Sequence, residues 1–64
     1  MIVLEFELSN GSYACVKRQE ATEDKPVTYK VELWDLNRFY YSKTFGNFEQ
    51  AELYYWKKLR EELL

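Results

Sequence analysis

The sequence predicts an α+β domain: a four-stranded antiparallel sheet of two hairpins with one C-terminal helix packed on one face, in the order ββββα. Three observations carry this. Four separate stretches up to Phe45 read as strands, and in the first, third and fourth of them apolar and polar residues alternate with a period of two. Turn residues separate the first stretch from the second and the third from the fourth. After Gly46 the period changes to that of a helix. With 64 residues and 47% hydrophobic side chains, the chain is read as a single domain over 1–64.

The first strand is marked by Ile2, Leu4, Phe6 and Leu8 alternating with Val3, Glu5 and Glu7. Ser9-Asn10-Gly11-Ser12 follows, and Asn-Gly suits a two-residue turn that needs positive φ twice. Such a turn sets Leu8 opposite Tyr13, Phe6 opposite Cys15 and Leu4 opposite Lys17, with Glu7/Ala14 and Glu5/Val16 on the other face. The return strand runs from Tyr13 to Arg18. Gln19 to Pro26 reads as a polar loop, acidic through Glu20, Glu23 and Asp24.

Alternation resumes at Val27. Val27, Tyr29, Val31 and Leu33 take one side and Thr28, Lys30, Glu32 and Trp34 the other. After Asp35-Leu36-Asn37-Arg38 a fourth strand spans Phe39 to Phe45. A five-residue loop that pairs Leu33 with Phe39 and Val31 with Tyr41 is preferred, because a tighter turn sets Lys30 against Lys43. Asn47 then caps a helix from Phe48 to Leu63, with Gln50 completing a capping box. Phe48, Ala51, Tyr55, Trp56, Leu59 and Leu63 form its apolar stripe, with Leu53, Tyr54 and Leu64 off it.

Composition excludes much chemistry. The chain has no His and one Cys, so a disulfide framework, a His/Cys zinc site and a His-activated nucleophile have no residues within the monomer. No Gly-rich phosphate loop or calcium loop is present. Cys15 is read as a small buried hydrophobe on the core face. Glu5 and Glu7 belong to a solvated outer face rather than to a pair of catalytic carboxylates. The expectation is a protein that is not an enzyme, needs no cofactor and binds no metal. The first residues lack a basic segment and a cleavage site, and no stretch is long enough for a membrane span. One unpaired thiol is compatible with a cytoplasmic, reducing compartment.

Charge is unevenly spread along the chain. Residues 1–24 carry two basic and five acidic groups, net −3, residues 25–48 carry net +2, and residues 49–64 net −1. The outer face of the sheet is expected to display Lys30, Glu32, Trp34, Tyr40, Ser42 and Thr44, with Arg38 at the turn. Exposed Trp and Tyr beside cations can anchor a protein interface or stack on bases.

The passage Tyr29-Lys30-Val31-Glu32-Leu33-Trp34, Ser42-Lys43-Thr44-Phe45 and Glu49-Gln50-Ala51-Glu52 resembles the amino-terminal arm-binding domain of phage tyrosine integrases. That family joins a three-stranded sheet to a helix and inserts the sheet face into the DNA major groove. The resemblance covers roughly half the chain and implies nucleic-acid contact through Lys30, Trp34, Arg38, Tyr40 and Ser42. In size, acidity and layout the chain is also similar to small phage-encoded inhibitors, anti-CRISPR proteins among them. That similarity implies a host protein as partner, one that handles nucleic acid, met by acidic mimicry through Glu5, Glu7, Glu20, Glu23, Asp24 and Glu32 together with Trp34 and Tyr40. The alternatives are the DNA-binding module and a self-associating structural protein that forms a homodimer.

Overall fold

A computed structural model describes residues 1–8, 11–35 and 38–63; the side chains of residues 38–40, 62 and 63 lie outside that description. Four strands, β1 (Ile2–Glu7), β2 (Tyr13–Gln19), β3 (Thr28–Asp35) and β4 (Arg38–Phe45), precede the helix α1 (Phe48–Lys58). They form one antiparallel sheet in the order β1-β2-β3-β4, a meander in which each strand pairs with its sequence neighbour. The expected ββββα architecture is the observed one.

The core lies between the sheet and α1. Ala14, Val16, Val31 and Leu33 from the two central strands meet Ala51, Tyr55 and Leu59 from the C-terminal segment, and all seven are buried. Leu4, Leu8, Tyr29, Tyr41, Phe45, Phe48 and Tyr54 pack around them half-buried. A core of seven fully buried residues is small, so the half-buried ring supplies much of the apolar area that folding removes from water.

The first hairpin differs from expectation by one residue. Glu7 pairs with Tyr13, Phe6 with Ala14, Glu5 with Cys15 and Leu4 with Val16. Backbone bonding continues past Glu7 to Leu8: its carbonyl accepts from the Gly11 amide at 3.1 Å, and its amide donates to the Ser12 carbonyl at 2.9 Å. Gly11 has φ 94°, the positive value that closes this type of turn. Because strand side chains alternate, the single-residue slip turns β2 over. Ala14 and Val16 therefore enter the core, and Tyr13, Cys15 and Lys17 project from the opposite face. The placement of Cys15 on the core face opposite Phe6 is corrected accordingly. The slip buries the two compact apolar side chains under the helix and leaves the long polar ends of Tyr13 and Lys17 outside.

The second hairpin solves the expected lysine clash in another way. Asp35 pairs with Arg38, so strand pairing runs on through the residues expected to form a five-residue loop. An irregularity between Leu33 and Trp34 then advances the register, so that Leu33 pairs with Tyr41, Val31 with Lys43 and Lys30 with Thr44. Lys30 and Lys43 are kept apart by this bulge.

Asn47 caps α1 as expected, its side-chain oxygen accepting from the Gln50 amide at 2.8 Å. The segment continues as a wider, π-helical turn over Leu59–Leu63. Trp56, expected on the apolar stripe, and Tyr54, expected off it, exchange roles. Trp56 is 47% exposed, whereas Tyr54 packs on the core. Both flank the buried Tyr55. Tyr54 leans to the β4 side, where its ring meets those of Tyr41 and Phe45 and its hydroxyl is hydrogen-bonded to that of Tyr41. Lys43 and Lys58 each lie over the Tyr54 ring, at 5.1 and 5.6 Å. Among the described residues, no helix is long and apolar enough to cross a membrane.

Candidate functional site

The face of the sheet that α1 does not cover is built from alternate residues of all four strands. The pairings place Glu5, Cys15, Glu32 and Ser42 in one row across it. Lys17, Lys30 and Thr44 make a second row on one side. Tyr13 and Trp34 pair on the other side of the Cys15 row and are half-buried.

The centre of this face is closed. Cys15 is fully buried and Glu32 is 6% exposed, although no helix lies over them. Long neighbours account for this: the short Cys15 side chain lies on the sheet floor between Glu5, Tyr13, Lys17 and Glu32. The Tyr13 hydroxyl crosses diagonally to β1 and donates to Glu5 Oε2 at 2.6 Å. The Cys15 thiol donates to Glu32 Oε1 at 3.7 Å. The same oxygen takes Lys17 Nζ at 2.8 Å, and Lys30 Nζ lies 3.7 Å from Oε2.

The electrostatics follow from this packing. Burial works to raise the Glu32 pKa, but the hydrogen bond from Lys17 and the charges of Lys17 and Lys30 outweigh it, and the carboxyl is held below its ordinary value. Lys17 is pushed upward, chiefly by its hydrogen bond to Glu32. Cys15 is pushed up by burial and then by the Glu32 charge, with Lys17 acting the other way. Tyr13 is pushed well above the ordinary phenol value by burial and by its bond to Glu5. A thiol held in its protonated form beside a carboxylate is a poor nucleophile. The paired Lys17 and Lys30 directly opposite each other on β2 and β3 are tolerated because Glu32 lies between them.

The sequence-derived residues are thus divided. Glu32 is not displayed as a surface carboxylate; it is buried and neutralised by two lysines, which corrects its place among the exposed acidic groups. Lys30, Trp34 and Ser42 share the uncovered face, with Lys30 tied to Glu32. The side chains of Arg38 and Tyr40 lie outside the described residues. Glu5, Glu7, Glu20, Glu23 and Asp24 are all exposed. Glu5 and Glu7 stand on β1, while Glu20 follows β2 and lies 3.3 Å from Arg18. Glu23 and Asp24 occupy a turn closed by the Thr22 amide donating to the Lys25 carbonyl at 2.8 Å and the Lys25 amide donating to Thr22 Oγ1.

Sequence reasoning missed the apolar surface of β1. Met1, Ile2, Val3 and Phe6 are four of the six large apolar side chains exposed among the described residues, and Leu53 and Trp56 of α1 are the others. The signal was present in the run Met1 to Phe6, which carries more apolar side chains than the narrow helix can cover. Among the described residues, no group of three or more acidic or Cys side chains is placed to hold a metal ion. Comparison with protein-family models, with curated proteins and with solved structures finds no match to this chain.

Proposed function

We propose that the chain is a small non-enzymatic protein-binding module, an inhibitor of the phage or mobile-element kind, that docks on a basic surface of a host nucleic-acid-handling protein. The supporting observation is the partition of exposed charge. Glu5, Glu7, Glu20, Glu23 and Asp24 present their carboxylates to water on the first hairpin and the loop after it. The carboxylate of Glu32, in the more basic half, is withdrawn and compensated by Lys17 and Lys30. Exposed carboxylates on a rigid scaffold can compete with nucleic-acid phosphates for Arg and Lys side chains, and such contacts weaken steeply with salt.

The DNA-binding reading draws on the shared face of Lys30, Trp34 and Ser42. It is weakened by the Glu32 charge, which offsets the lysines of that face.

Affinity capture from a host lysate at low salt tests the proposal. The wild-type chain is expected to retain a nucleic-acid-binding protein that a Glu5→Gln, Glu7→Gln, Glu23→Gln, Asp24→Asn variant loses. Equal capture by both chains, or binding of duplex DNA by the chain itself, contradicts it.

A further inference from the structure

We infer that the free edge of β1 is a strand-addition site for an extended segment of the partner in which basic and apolar residues alternate. The inference rests on the protein-binding reading above and specifies the partner's form. Among the described residues β1 is an edge strand, bonded to β2 on one side only. Hydrogen-bonded and non-hydrogen-bonded pairs alternate along an antiparallel ladder, and the Leu8–Ser12 bond sets the phase. Leu4 and Phe6 therefore point their backbone groups at β2, and Glu5 and Glu7 point theirs at the open edge. An unpaired row of N–H and C=O groups is a template for another strand.

The side chains beside that row define what fits. On the uncovered face Glu5 and Glu7 are exposed carboxylates at alternate positions, which favours Lys or Arg at every second residue of the incoming strand. On the helix side, Phe6 is 38% exposed at the rim of the core. Trp56 is 47% exposed, and helical spacing sets it on the flank of α1 opposite Tyr54, which packs against Phe45 of β4. α1 makes its main contacts with β2, β3 and β4, and Phe6 and Trp56 stay exposed, which favours apolar side chains at the alternate positions of the same strand. A second copy of this chain is a poorer occupant, because its β1 brings carboxylates to carboxylates.

Two synthetic peptides test the site, one alternating lysine with valine and one alternating glutamate with valine. The lysine peptide is expected to slow amide exchange at Glu5 and Glu7 at least several-fold, and the glutamate peptide to leave it unchanged. Glu5→Pro removes one outward N–H while sparing the β2 ladder, and is expected to abolish the protection read at the Glu7 amide. Glu7→Lys, at an exposed position, is expected to reverse the preference between peptides. Equal effects of the two peptides, protection elsewhere only, or dilution-dependent protection without peptide overturns the inference, the last assigning the edge to a second copy. Capture of a host partner that survives Glu5→Pro but is lost on neutralising Glu23 and Asp24 leaves the protein-binding reading standing and removes strand addition.

Discussion

Cys15 and Glu32 face each other across β2 and β3, the thiol donating to carboxylate Oε1 at 3.7 Å on the face of the sheet that carries no helix. Lys17 binds the same oxygen at 2.8 Å. A buried acid, its cation and a protonated thiol thus form the floor of an otherwise uncovered surface, and their removal has directional consequences.

Losing the cation should hurt more than losing the acid. Lys17 and Lys30 are partly exposed and can turn to water, whereas Glu32 cannot. Lys17→Met is expected to destabilise by about 1–3 kcal/mol, the range for stranding a buried charged group. Glu32→Gln is expected to cost about 1 kcal/mol or less, after allowing for the exposure of the lysines. Urea unfolding of the two variants checks the order.

Stability should fall at both ends of the pH range. The folded-state pKa of Glu32 is below its unfolded value, so the folded chain binds that proton less readily; the contribution is present above the ordinary Glu value and is lost as pH falls through the folded one. Cys15, Tyr13 and Tyr55 are all raised on folding, so their contributions are present below their ordinary values and fade as pH rises beyond them. Thermal unfolding from acid to alkali should show a decline starting near the ordinary thiol value of about 9, and Cys15→Ala should delay it. In Glu32→Gln the acid limb should flatten.

The Cys15 thiol should be silent in the folded chain. Full burial and a raised pKa both suppress the thiolate, so a thiol reagent at neutral pH is expected to react only through opening of the sheet. Colorimetric titration should show fast reaction in denaturant and a rate lower by orders of magnitude without it. Rapid native reaction contradicts the placement of Cys15.

The two glycines should respond oppositely to alanine. Gly11 has φ 94°, which a Cβ opposes, so Gly11→Ala is expected to cost about 1 kcal/mol or more. At Gly46 an added Cβ meets nothing within 4 Å. Gly46→Ala is expected to be neutral, or to stabilise by up to about 1 kcal/mol through the unfolded chain. Paired melting curves check both.

Strand existence and order were legible because apolar alternation is strong in β1 and β3. Register was not. Asn10-Gly11 fits a two-residue turn as readily as it fits a longer link ending in a positive-φ glycine. β2 offers two half-apolar faces, Tyr13-Cys15-Lys17 and Ala14-Val16, so its pattern does not choose between them. The choice falls to packing: a helix lying close to the sheet needs small residues beneath it, and Ala14 and Val16 are smaller. The lysine conflict in the second hairpin was visible, but a bulge as its remedy was not, since one extra residue leaves no mark in composition. Tyr54 and Trp56 are equivalent on a helical projection about Tyr55, and only the aromatic neighbours on β4 separate them. Glu32 looked like any other outward residue; its burial depends on Lys17 and Lys30 arriving from two strands.

The most direct test of the account maps amide protection on the wild-type chain in complex with a captured basic partner. Protection is expected to concentrate on Glu5, Glu7 and the turn bearing Glu23 and Asp24. Protection confined to Lys30, Trp34 and Ser42, with the first hairpin unchanged, contradicts it.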